Sequence, residues 1–129
     1  KMTNCLKILK AAREAELEIQ AELEHIERLH KILRLPHRSA EYAAKMTEKL
    51  AELERILNDC IDNACDRKRE ALACLSSLTG NERTVLYRYY ILGEDWRRIS
   101  DAMYMSERSI FNLRKTALDK LNYPAGFSA

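Results

Sequence analysis

Apolar residues recur every three or four positions through the first 35 residues, with Glu, Lys, Arg and Gln on the other faces. With Met2, Leu9, Glu16, Leu23 and His30 at position a, the d positions are Cys5, Ala12, Ile19, Ile26 and Leu33. Such a seven-residue repeat predicts one long amphipathic helix, interrupted only by the charged Glu16 and the polar His30. At ~1.5 Å per residue it would be about 50 Å long and would need a partner helix. Pro36 pushes the residue before it out of the α region and ends the run, and Ser39 has the chemistry of an N-cap. A second repeat follows, with Ala43, Leu50, Leu57, Ala64, Ala71 and Leu78 on one position. Met46, Leu53, Cys60, Arg67 and Cys74 fall on the other, with Ile56 and Ile61 flanking. Two striped helices joined by the short Leu35–Ser39 connection predict an antiparallel helical hairpin, a coiled coil, over residues 1–78. His30 and Arg67 break the seam, as register-setting polar residues or simply as edge positions in water.

The pattern changes at Thr79. Thr79-Gly80-Asn81 predicts a turn with a ready N-cap, Glu82 to Leu92 a short helix, and Gly93 its stop. Glu94 to Met103 predicts another helix, with Trp96, Ile99 and Met103 on one side and Arg97 and Arg98 on the other. After a turn at Tyr104-Met105, Ser106 would cap a last helix running to about Asn122, where Tyr123-Pro124 ends it. Three short helices, the last two joined by about three residues, have the dimensions of a helix-turn-helix unit. The predicted class is all-α: a long hairpin over 1–78 followed by a three-helix helix-turn-helix domain over 79–129.

Composition narrows the function classes. The chain has 129 residues, 47% of them hydrophobic and 33% charged, which excludes disorder. No apolar run approaches the roughly 20 residues that span a bilayer, and charges every few residues in the first helix argue against a secretory leader, so a cytoplasmic protein without membrane contact is expected. Lys1 ahead of Met2 is read as a residue added before the native start. Only 3 Gly and 2 Pro leave little material for the turns of an all-β fold. Net charge is +2, and residues 79–129 carry the whole excess, a weak pointer to nucleic acid. Cys5, Cys60, Cys65 and Cys74 have neither zinc-site nor disulfide-framework spacing and are expected to be buried, reduced thiols. No phosphate loop, metal-spaced cluster or nucleophile–base pair is visible, and His25, His30 and His37 lie on the hairpin away from any inferred pocket. Neither an enzymatic activity nor a cofactor is expected.

The last helix carries the chemistry. Projected at 100° per residue, Ile110, Leu113, Ala117 and Leu121 form one face. Arg108, Asn112, Lys115 and Asp119 lie opposite, flanked by Phe111 and Thr116. A recognition helix needs this division, because one face packs on the core and the other enters the major groove. Arg can bond guanine in bidentate fashion, Asn adenine, Glu107 the cytosine amino group, and the Phe111 edge can pack on a thymine methyl. The candidate base-reading residues are Glu107, Arg108, Phe111 and Asn112. Arg88, Arg97, Arg98, Ser106, Lys115 and Thr116 are candidates for the DNA backbone, contacts that position without reading sequence. For the arginines the competing reading is surface pairing with Glu94, Asp95 or Asp101. For Tyr89, Tyr90 and Trp96, core packing is favoured over base stacking.

The segment Asn81 to Leu121, NERTVLYRYYILGEDWRRISDAMYMSERSIFNLRKTALDKL, resembles region 4 of sigma-70-type factors, which reads promoter −35 elements. The likeness rests on the Val85-Leu86 helix, Trp96-x-x-Ile99, and Ser106-x-x-x-Ile110 followed by Ala117-Leu118-x-x-Leu121. With its glutamate-rich hairpin the chain is similar to small phage and prophage regulators of Gram-positive bacteria, the RinA- and ArpU-like group. The resemblance places base-reading residues at Glu107, Arg108 and Asn112. It departs from a sigma factor in residues 1–78, which are heptad helices in place of an aromatic-rich strand-melting domain, so initiation as a sigma subunit is not expected. It implies binding to double-stranded DNA, and transcriptional control by association. The expected function is a sequence-specific regulator, a phage or prophage activator, acting as a homodimer or higher oligomer through the 1–78 hairpin as its oligomerisation arm. The alternatives are a small terminase-like DNA-packaging subunit and an adaptor that docks on RNA polymerase.

Overall fold

The computed structural model describes residues 2–36 and 39–122; the side chain of Met2, His37 and the expected stop at Tyr123-Pro124 lie outside the described residues. Among the described residues the chain is all-helical, with no strand and with five α-helices. These are α1 (Met2–Leu33), α2 (Ala40–Leu75), α3 (Gly80–Leu86), α4 (Trp96–Met103) and α5 (Glu107–Asn122). No helix of the described residues is long and apolar enough to cross a membrane.

Ser39 starts α2 as its side chain suggests, its hydroxyl accepting the Tyr42 amide at 3.0 Å. α2 then runs back along α1. Early residues of one helix meet late residues of the other: Glu16 pairs with Lys68, and the Cys60 thiol donates to Glu18 at 3.3 Å. Farther along, Leu29 lies beside Met46 and Leu53. Ala64 and Ala71 are buried at the seam, where a methyl side chain allows close approach.

The buried face of α1 turns along its length, which a fixed heptad does not anticipate. Leu9, Ala12 and Ile26 are buried as expected, but Leu23 is 50% exposed, and Ala15 and Leu29 are buried instead. The cause is the number of neighbours. The stretch of α1 up to Gln20 meets both α2 and the C-terminal segment, whereas Leu29 farther on lies beside Met46 and Leu53 of α2.

The core crosses position 78. Leu9 and Ala12 of α1, Ala71 and Leu75 of α2, and Leu78 in the following turn share one cluster with Val85, Leu86, Tyr90, Ile91, Ile99, Ile110, Ala117 and Leu121. Burying this apolar surface at about 25 cal/mol per Å² is what holds the C-terminal helices onto the long pair.

The short elements differ in detail from expectation. Thr79 is the N-cap of α3 by its extended backbone, without a side-chain cap bond, and the helix begins at Gly80, at φ +62°. The expected helix over Glu82 to Leu92 is α-helical only to Leu86; Tyr87–Ile91 form a π-helical turn. The Leu92 amide accordingly reaches back five residues to Tyr87 O, at 3.1 Å. Gly93, at φ +74°, then stops the segment. α4 begins at Trp96 instead of Glu94, because the Asp95 carboxylate accepts the Arg98 amide at 2.8 Å and so is the N-cap.

Candidate nucleic-acid interface

The α4–α5 connection is built from local hydrogen bonds. Tyr104 adopts the left-handed conformation at φ 55°, with its amide bonded to Asp101 O at 3.3 Å and that of Met105 to Ser100 O at 3.1 Å. These are the paired bonds that satisfy the last carbonyls of a helix. The Ser100 hydroxyl donates to Met105 O, tying the turn back to α4. Ser106 caps α5: its hydroxyl accepts the Ser109 amide at 3.1 Å and donates to Ser109 Oγ at 3.0 Å. The Ser106 oxygen therefore already serves the helix end, whatever else it meets.

The projection of α5 agrees with its burial. Ile110, Ala117 and Leu121 are buried and Leu113 half-buried, whereas Arg108, Asn112, Lys115, Thr116 and Asp119 are exposed. Glu107 stands in the exposed first turn, where its carboxylate complements the helix dipole. Phe111 is 45% exposed, and its inner face lies 5.1 Å from the Trp96 ring at a 54° tilt. Arg108, Lys115 and Arg97 meet no carboxylate among the described residues.

Glu94 gathers the other two arginines. One Arg88 guanidinium nitrogen lies 2.9 and 3.1 Å from the two Glu94 oxygens, and Arg98 Nε is 3.5 Å from one of them. Arg88 is thereby held on the protein, as the competing reading has it. Arg98 is well exposed and its longer pairing is a weak one. Asp95 is occupied as a helix cap.

Tyr90 is buried, and Tyr89 and Trp96 are half-buried against the core. Tyr89 stacks on Trp96 with centroids 3.8 Å apart and planes 9° from parallel. Arg114 of α5 reaches the Tyr90 hydroxyl at 3.3 Å and lies 5.7 Å from the Trp96 ring. Arg13, which sits on what reads as a solvated face of α1, donates to Tyr89 O at 2.6 Å and Glu94 O at 2.9 Å. Sequence pattern does not single out Arg13, because its partners are backbone carbonyls more than seventy residues away.

Of the cysteines only Cys60 is fully buried; Cys5 and Cys74 are half-buried and Cys65 is exposed, against the expectation that all are buried. All four are free thiols. Burial, the Glu18 hydrogen bond and the charges of Glu18, Glu22 and Asp59 push the Cys60 thiol up. Burial, then the neighbouring Cys5 thiol, pushes Cys74 up to about 12. His25 does line a cavity, a cleft of about 290 Å³ with Leu29, Met46 and Leu53, contrary to expectation. No set of three or more His, Cys, Asp or Glu among the described residues could hold a metal ion.

Compared with protein-family models, curated proteins and solved structures, the chain matches none.

Proposed function

We propose that the chain is a sequence-specific DNA-binding transcriptional regulator in which α4, the Tyr104–Ser106 turn and α5 act as a helix-turn-helix. The observation that carries this is the two-sided α5. One face is buried on the core, and the other presents Arg108, Asn112 and Lys115 with no competing partner among the described residues. α5 enters the major groove. Arg108 and Asn112 read base edges, with Glu107 and Phe111 beside them, and Arg97, Arg98, Lys115 and Thr116 approach the phosphates. Arg88, held by Glu94, contributes only if DNA draws it away, and Ser106 contributes after capping its helix.

The α1–α2 pair is the oligomerisation arm in this reading. A single small module contacts few bases, and a second module on the same assembly raises effective concentration. Leu17, Leu23, Ile56, Ile61 and Leu72 are exposed on the two long helices, a supply of apolar surface for that purpose. Sedimentation over a dilution series is expected to show dissociation, and a mass that stays monomeric at high micromolar concentration rules the arm out.

The test of function is selection from sheared phage and host DNA at ~0.15 M salt, where phosphate attraction alone no longer retains everything. Enrichment of one site upstream of a gene is expected. Arg108→Ala and Asn112→Ala should each cost ~1–3 kcal/mol on that site. Enrichment at a packaging-enzyme locus would favour the packaging subunit. No enrichment, with regulatory activity intact in both variants, would favour an adaptor on RNA polymerase.

A further inference from the structure

We infer that Arg13, on the long N-terminal helix, is a positioning residue for the DNA-reading face of α5, acting through the Tyr89–Trp96–Phe111 aromatic column. The inference rests on the DNA-binding reading of α5 and adds to it a part of the chain far from that helix.

The π-helical turn at Tyr87–Ile91 leaves carbonyls at its end without the usual helical partners. Arg13 fills that gap at Tyr89 O, at 2.6 Å, and with the same nitrogen reaches Glu94 O, beyond the turn, at 2.9 Å. It thereby fixes the end of the turn to the strand of chain that enters α4. The same guanidinium lies 3.7 Å from the centre of the Tyr89 ring. Tyr89 stacks on Trp96, the first residue of α4, at 3.8 Å, and Trp96 meets Phe111 of α5 at 5.1 Å. Phe111 lies one helical turn from Arg108 and next to Asn112, so a shift of its ring is passed to the reading face that the buried Ile110, Ala117 and Leu121 otherwise hold. Only arginine combines a flat cation for stacking with several donors in a fixed fork. Removing it frees two carbonyls and one face of the column together, without deleting any side chain of α5.

Trp96 is the single tryptophan of the chain, so its emission reports on the column directly. The experiment compares wild type, Arg13→Ala, Arg13→Lys and Tyr89→Leu, with helix content by circular dichroism as the folding control. The selected DNA fragment and a scrambled fragment of equal length are the probes. Without DNA, Arg13→Ala is expected to change Trp96 emission intensity while helix content stays within a few per cent. On the selected fragment it should lose about 5- to 20-fold in affinity, and on the scrambled fragment under 2-fold, with the salt slope unchanged because no phosphate contact is lost. Arg13→Lys should fall between. Arg13→Ala combined with Tyr89→Leu should lose little more than either alone, since both break one column. Unchanged emission in Arg13→Ala overturns the inference, and so does an equal loss on both fragments with a reduced salt slope, which would make Arg13 a phosphate contact. If Arg13→Ala loses helix content, the decision passes to Arg13→Lys and Tyr89→Leu by the same two criteria. Failure of the wild type to prefer any fragment would refute the DNA-binding reading itself, and the emission change would still decide whether Arg13 sets the column.

Discussion

Gly93 and Gly80 form a natural pair for testing how the C-terminal helices sit on α1. Both have positive φ, +74° and +62°, so alanine at either incurs the same left-handed backbone penalty. That penalty is ~1–2 kcal/mol, partly offset by ~0.4–1 kcal/mol from the stiffer unfolded chain. Their surroundings differ. A methyl group at Gly80 meets nothing within 4 Å, whereas at Gly93 it meets Glu16 Cγ at 3.0 Å, Gln20 Nε2 at 3.2 Å and Leu17 Cδ2 at 3.6 Å. Glu16 cannot easily withdraw, because it pairs with Lys68 and accepts from Gln20 at 2.9 Å. Displacing that linked group adds ~1 kcal/mol, within the ~1–3 kcal/mol range of overpacking. Gly80→Ala should therefore cost about 1 kcal/mol and Gly93→Ala about 2 kcal/mol. For a chain of this size the latter is a fall in Tm of roughly 6–10 °C. Urea unfolding followed by Trp96 emission and by circular dichroism measures both variants. Equal losses, within about 0.5 kcal/mol, would refute the close seating of Gly93 on α1.

Tyr104 is the reverse case: a non-glycine at φ 55° whose side chain is 95% exposed, so Tyr104→Gly should stabilise by up to ~1 kcal/mol and raise the urea midpoint. Ile110 is fully buried beneath the exposed face of α5, and Ile110→Ala should cost ~2–5 kcal/mol by the same unfolding assay. Cys74 is held up to about 12 by burial and by Cys5, so the folded state keeps a proton that the unfolded thiol loses near 9. Stability from this group is complete below about pH 9 and is lost as pH rises toward 12; wild type should weaken over that window relative to Cys74→Ala in urea titrations at stepped pH. A thiol reagent at pH 8 should label the exposed Cys65 first and the buried Cys60 last, as mass spectrometry of timed samples would show.

The long helices are legible in the sequence because their spacing is regular and their ends carry strong local signals, Ser39 before α2 above all. The α5 division is legible for the same reason: Ile110, Ala117 and Leu121 share a face that only a core would bury. What spacing cannot show is where a helix has two neighbours. Leu23 fits the heptad yet is half exposed, while Ala15 and Leu29, off the repeat, are buried, and the start of α1 shares a core with the C-terminal helices. The π-helical turn has no compositional mark, since Tyr87, Tyr89 and Tyr90 suit an α-helix equally well. Arg13 is invisible for a different reason. Its role depends on backbone carbonyls, which every residue has, at a place that only the folded chain brings near.

The shared core bears on whether the C-terminal helices stand alone. Leu9, Ala12, Ala71 and Leu75 share one buried cluster with Leu86 and Tyr90, and Arg13 bonds Tyr89 O and Glu94 O. A fragment of residues 79–129 loses all five of these groups. Chains of about 50 residues already bury barely enough apolar surface to fold, so this loss falls on a unit with little margin. The expected result is low helix content and solvent-exposed Trp96 emission for the fragment, with both recovered when residues 1–78 are supplied in the same chain. A fragment that melts cooperatively near the full-length Tm would mean that its own three helices suffice. In that event the contacts with α1 and α2 would set orientation, and stability would reside in Val85, Ile99, Ile110 and Ala117.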